Sequence, residues 1–195
     1  MGFGAEQMAV RRRHATGYTL IELMAVLAIA SALLVIAIPM FRTQVQNSRM
    51  SAAATDLLST FMSAKSEAVG RGYPVTVCIS NEDADGCADI GNVQWEDGWL
   101  TFVDVNDNGA RDDDEDILQI HPPLSAGTTA RATGSLANSI TYRPNGLTNL
   151  SGTESLVICD ARDFSPSSRI LTVSILGKVS ILKVEETEVG TCLRS

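Results

Sequence analysis

The stretch Gly17-Tyr18-Thr19-Leu20-Ile21-Glu22-Leu23-Met24 runs straight into an apolar segment that ends at Phe41, and its reading decides the fold. From Leu23 to Phe41, 19 consecutive residues carry no charge, and Ser31 is the only plainly polar side chain among them. Coiled as a helix, that run spans about 28 Å, close to the hydrocarbon thickness of a bilayer. An ordinary membrane anchor or a secretory signal satisfies the same arithmetic. The secretory version takes Arg11, Arg12 and Arg13 as its basic region and Ala28-Ile29-Ala30 as its cleavage site. Two features resist it. The apolar run continues for eleven residues beyond Ala30, and Glu22 interrupts what should be unbroken hydrocarbon. A carboxylate costs about 2.5–3.5 kcal/mol at the membrane centre and less near an edge, so Glu22 asks for a function.

The residues from Gly17 to Met24 resemble the type IV prepilin signal, a glycine followed in most members by F-T-L-I-E-L. The resemblance implies cleavage after Gly17 by a prepilin peptidase on the cytoplasmic side and N-methylation of the new first residue. Tyr18 replaces the usual Phe and keeps the aromatic ring. Glu22 falls at the fifth mature position, where the family keeps its glutamate, and Pro39 at the twenty-second, where pilins often carry a kinking proline. A carboxylate in hydrocarbon can neutralise an amine. The implied partner of Glu22 is the Tyr18 amine of a neighbouring subunit, so the pair sets register in a filament; the alternative is a solvated helix-end glutamate. Arg11, Arg12 and Arg13 precede the span and only Arg42 and Arg49 closely follow it, which agrees weakly with a cytoplasmic leader.

Beyond Phe41 the pattern turns amphipathic. Met50, Ala53, Leu57, Phe61, Ala64 and Ala68 recur at steps of three and four, while Thr55, Ser59, Ser66 and Glu67 occupy other faces. Gly70, Gly72 and Pro74 stop the helix. A helix from Tyr18 to Val69 is about 78 Å long, with Pro39 as its expected bend. After Gly72 short β-type runs follow at 75–80, 99–105, 117–121, 139–143, 155–159, 169–175 and 178–184, with Leu176-Gly177 as a tight turn between the last two. The Pro-, Gly- and Ser-rich stretch between His121 and Ser139 reads as a loop. The expected architecture is α+β and pilin-like, a long N-terminal helix on a C-terminal antiparallel sheet. It divides into a leader (1–17), a membrane or filament-core helix (18–41), an amphipathic helix (42–72) and a β-rich domain (73–195).

The later half carries a second resemblance. Trp95, Gly98-Trp99 and the run from Phe102 to Gly109 look like the W-x-x-G-W…F-x-D-x-N-x-N-G pattern of the GspH/FimT family, minor pilins and minor pseudopilins. Cys159-Asp160 and Ser174 with Gly177-Lys178-Val179 resemble its C-terminal pattern, Lys178 standing where the family usually has Arg. Within the same run Asp104, Asn106, Asn108, Gly109, Asp112 and Glu115 fit the spacing that wraps oxygens around calcium. Its flanks read as strands rather than helices, and Arg111 stands where a hydrophobic anchor is usual. The competing reading, an acidic hairpin loop with an Asn-Gly turn, is favoured over the metal.

Cys78, Cys87, Cys159 and Cys192 contain no C-x-x-C, which argues against zinc and thioredoxin-like chemistry. A domain outside the cytoplasm favours disulfides. Three pairings are open; local closure favours Cys78–Cys87 and leaves Cys159–Cys192. Catalysis has little to stand on. His14 leaves with the leader, so His121 is the one histidine of the mature chain, and before Pro122-Pro123 it reads as a strand-end residue. Trp95 and Trp99 read as packing residues. The chain is expected not to be an enzyme.

The 195 residues carry 15 Lys and Arg against 23 Asp and Glu, a formal charge of -8, which excludes a general polyanion binder. The acidity is local. Residues 81–116 hold thirteen acids and one Arg, and removal of the leader takes three Arg and one Glu. Between Gly127 and Lys183, Arg131, Arg143, Arg162, Arg169, Lys178 and Lys183 outnumber Glu154, Asp160 and Asp163, so a DNA-binding patch is conceivable, with scattered surface charge the favoured alternative. The expected function is that of a minor pilin that primes or tips a type IV pilus, the two apparent disulfides and the Cys192 tail tilting the reading that way. A pseudopilin of type II secretion, or a pilus subunit that binds DNA for uptake, are the alternatives. Expected partners are the prepilin peptidase, other pilins and the bacterial inner membrane, with the leader in the cytoplasm and the domain in the periplasm; the start itself could lie at Met8.

Overall fold

A computed structural model describes residues 18–89, 91, 93–160 and 168–183 of the chain. By contacts it divides after Arg42 into two units. Helix α1 (Leu20–Arg71) is continuous through Pro39. In the first unit its large apolar side chains from Leu20 to Phe41 are all exposed, and the helix is long and apolar enough to cross a membrane.

In the second unit the amphipathic pattern does what its period dictates. Met50, Ala53, Leu57, Phe61, Ala64 and Ala68 are all buried, as are Ala54 and Thr60 beside them. Eight strands follow: β1 (Val75–Ile79), β2 (Trp99–Val103), β3 (Ile117–His121), β4 (Thr128–Ala132), β5 (Ser139–Tyr142), β6 (Glu154–Asp160), β7 (Arg169–Val173) and β8 (Val179–Lys183). They form two four-stranded antiparallel sheets rather than one, in the orders β3-β2-β1-β5 and β4-β6-β7-β8.

The helix face packs into a core shared by both sheets, with Val75, Val77, Ile140 and Tyr142 from the first and Ala130, Leu156, Ile158 and Leu171 from the second. Trp95 and Trp99 are fully buried there, as packing residues. Trp95 sets its ring edge-on to Phe61 at 5.6 Å and donates from Nε1 to the Leu136 carbonyl at 2.8 Å. Trp99 donates to Thr60 Oγ1 at 3.1 Å, which explains a threonine on the buried face of α1. Its other flank is covered by His121, stacked at 3.9 Å with Nε2 3.5 Å from the Asp56 carboxylate. Alternate residues of β1 and β2 point the other way. Cys78, Leu100 and Phe102 form a second small core, capped by Cys87 and Ile117.

The expected loop between His121 and Ser139 is corrected: it contains β4 and a 3-10 turn at Gly134–Ala137. β4 buries only Thr128 and Ala130, side chains too small to raise a visible alternation, and it forms by pairing along β6. Its outer edge is closed by Glu96, whose carboxylate accepts the Ala130 amide at 2.9 Å and pairs with Arg131. The turn between β7 and β8 is where the sequence put it. Gly177 sits at φ 66° and its amide closes onto the Ser174 carbonyl at 2.8 Å.

Candidate assembly segment and acidic loop

Gly17 lies outside the described residues, and Tyr18 opens them, 87% exposed. The helix start is written in Thr19-x-x-Glu22, the spacing of a capping box. Thr19 Oγ1 accepts the Glu22 amide at 3.2 Å, and Thr19's carbonyl accepts the Leu23 amide at 3.2 Å. Glu22 thus stands in the first turn, where the orphan amides and the helix dipole favour a carboxylate. Thr19 is the residue the sequence reading passed over, although its signature was visible. Beyond this cap the segment offers no polar grip: Leu20, Ile21, Leu23, Met24, Val26 and Leu27 are each more than half exposed. A surface so apolar needs lipid or other helices around it.

The acidic loop is built quite differently. Asp104 follows β2 and is fully buried, which a carboxylate tolerates only when hydrogen-bonded. Its Oδ2 accepts Thr76 Oγ1 at 2.8 Å and the Gly109 amide at 2.9 Å, and its Oδ1 accepts the Asn108 amide at 2.9 Å. Glu115, also buried, accepts the amides of Val105 at 2.7 Å and Asp112 at 3.0 Å. Asn106 and Asn108 donate their side-chain amides to Asp112 Oδ2 at 2.8 and 3.1 Å. The five side chains assigned to calcium are therefore gathered into one loop, and its carboxylates act as acceptors for the loop's own amides. Among the described residues no group of three or more His, Cys, Asp or Glu is arranged to hold a metal ion. Arg111 supplies a cation from within: it donates to the carbonyls of Asp85, Asp113 and Glu115 at 3.0, 3.4 and 3.3 Å. That bond to Asp85 joins the acidic loop to the loop closed by Cys78–Cys87, whose sulfurs are bonded as expected. Cys159 is also disulfide-bonded, and Cys192 lies outside the described residues.

The basic residues named for DNA are dispersed. Arg143 pairs with Asp107 at 2.9 Å, and Arg131 is taken by Glu96. Arg169 donates to the Ser168 carbonyl at 3.1 Å and Ser51 Oγ at 3.3 Å. Lys178 is exposed beyond the β7–β8 turn, Lys183 ends β8 opposite Arg169, and Arg162 lies outside the described residues. Burial raises the Tyr142 hydroxyl above its usual value, and among the described residues it has no hydrogen-bond partner.

An exposed apolar helix capped at Thr19–Glu22, followed along the chain by a unit of helix and antiparallel sheets, defines a pilin-like protein. The model of the family described as Type II transport protein GspH matches residues 53–177, and that of the prokaryotic N-terminal methylation motif matches residues 12–38. The chain belongs to the GspH family of minor pilins and pseudopilins, structural subunits whose methylation motif implies prepilin processing and whose apolar helix implies membrane anchoring. Two crystal forms of the type IV minor pilin FimU of Pseudomonas aeruginosa share its fold. One has a TM-score of 0.55 at 20% identity, covering 69% of this chain and 89% of FimU; the other has 0.50 at 18%, covering 68% and 91%. The minor pseudopilin EpsH of the Vibrio cholerae type 2 secretion system aligns at a TM-score of 0.47 and 14% identity, over 69% and 97% of the two chains. No curated protein matches the sequence.

Proposed function

We propose that this chain is a minor pilin that takes part in type IV pilus assembly, as a priming or tip component. A prepilin peptidase cuts between Gly17 and Tyr18, and the new amine is methylated. The helix waits in the inner membrane with the leader side in the cytoplasm and the domain in the periplasm. It then moves into a filament, trading lipid for neighbouring helices. The observation that carries this reading is the exposed apolar helix whose first turn holds one carboxylate, Glu22, within four residues of the processed terminus. A carboxylate so placed is stabilised by a neighbour's amine in a medium that offers it no water. The Cys78–Cys87 bond supports an oxidising compartment for the domain.

The test is Glu22→Ala in the full-length chain. Processing at Tyr18 should persist while incorporation into filaments fails; normal incorporation sinks the pairing role. Pilus and type II secretion roles separate on a deletion strain: loss of surface pili with intact secretion supports the pilus, and the reverse result assigns the chain to secretion.

A further inference from the structure

Within the second unit a closed circuit of side chains ties α1 to the first sheet. Thr60 donates from Oγ1 to the Asp56 carbonyl at 2.9 Å and accepts Trp99 Nε1 at 3.1 Å. Trp99 on β2 stands opposite His121 on β3, and the two rings stack at 3.9 Å with 6° between their planes. His121 Nε2 then faces Asp56 Oδ2 at 3.5 Å, which returns the circuit to the helix one turn before Thr60. The ring's other nitrogen, Nδ1, lies 2.7 Å from the Pro122 carbonyl oxygen. The backbone beneath the ring is closely packed too, since a Cβ on Gly98 would stand 2.8 Å from the His121 carbonyl oxygen.

We infer that His121 is a pH-sensitive latch, which fastens the outer strand β3 to α1 when its imidazole is doubly protonated and loosens when the ring is neutral. Both ring nitrogens face acceptors, and the imidazolium is the form that donates from both. A neutral ring keeps its proton at the shorter contact, Nδ1 to Pro122, and turns the lone pair of Nε2 toward a carboxylate. The face of Trp99 likewise attracts the charged ring. Among the described residues Asp56 is the charged group paired with the ring. On the turn before β2, Glu96 is paired with Arg131 and Asp97 accepts the Gln94 amide. The sign follows from the contacts: the latch holds below the ordinary histidine range, and its contribution is lost as pH rises through that range. The His121 side chain is 20% exposed and that of Asp56 47%, so water screens the pair and the effect is modest. The grip of the first sheet on the helix thereby follows the acidity of the surrounding medium.

The experiment uses the full-length chain in detergent, with His14→Gln so that His121 is its one imidazole. Nitrogen NMR of the ring should show both nitrogens protonated at about pH 5.5, and at about pH 8 a proton on Nδ1 alone. The urea midpoint should be about 0.5 M lower at the higher pH, the shift expected from a half-exposed ion pair. Asp56→Asn removes the charge and keeps the shape, so it should lose most of that shift. His121→Gln should lose all of it; if that variant fails to fold, Asp56→Asn decides. A midpoint that stays level between the two pH values overturns the latch. So does a shift that Asp56→Asn retains in full, or a neutral ring that carries its proton on Nε2.

Discussion

The hydroxyl of Thr76 on β1 donates to the buried carboxylate of Asp104 at 2.8 Å, and Thr141 on β5 lies 2.7 Å from the same hydroxyl. This chain of polar contacts runs from β5, the outer strand of its sheet, across β1 to the first position of the loop that the sequence offered to calcium. Its consequence is that Asp104 is spoken for. Replacing it with Ala leaves the amides of Asn108 and Gly109 and the Thr76 hydroxyl without an acceptor, a loss of about 3 kcal/mol by urea unfolding. Calcium added at millimolar concentration should give no heat in calorimetry and no rise in Tm. A saturable heat that Glu115→Gln abolishes would show that the loop reorganises into a metal site.

Two glycines with similar backbone angles should respond differently. Gly109 lies at φ 77° with open space around it, so Gly109→Ala should cost about 1 kcal/mol, the conformational penalty alone. Gly177 lies at φ 66°, and a Cβ there would stand 2.5 Å from the Gly146 carbonyl oxygen. Gly177→Ala therefore adds a backbone clash and should cost about 2–3 kcal/mol. Equal losses in denaturant titrations would contradict the close approach of the two turns.

The disulfides can be weighed separately. Cys78–Cys87 closes a nine-residue separation, so its removal by paired Cys→Ser substitution should lower stability by about 2.5 kcal/mol through the unfolded chain. Non-reducing peptide mapping should recover Cys159 joined to Cys192. A peptide joining Cys192 to any other partner refutes that pairing.

Much of this was readable from residue order, and the exceptions have physical causes. The buried face of α1 follows from spacing, because a helix core must repeat every three or four residues. Thr60 breaks that pattern since its hydroxyl serves Trp99, a partner 39 residues away. β4 escaped because Thr and Ala bury well without looking hydrophobic, and its edge is closed by Glu96 from a distant turn. The acidic loop shows the limit of motif reading. Oxygens at fixed spacing can surround an ion or cap the loop's own amides, and the spacing is the same for both. In the assembly segment, by contrast, Thr19 and Glu22 act over three residues, so the signal was local and legible.

For nucleic acid, the dispersal of Arg131, Arg143 and Arg169 among their own partners predicts weak binding. In a gel shift with duplex DNA, retention seen at low salt should vanish by about 0.15 M, as expected where few phosphates are neutralised. Binding that persists there and falls on Lys178→Ala would reverse this conclusion.

The most direct test is the N-terminal peptide mass of the chain recovered from sheared filaments. The account predicts a peptide that begins at Tyr18 and carries one methyl group on its amine. A chain that still bears residues 1–17, or one absent from the filament fraction while abundant in the membrane, would contradict it.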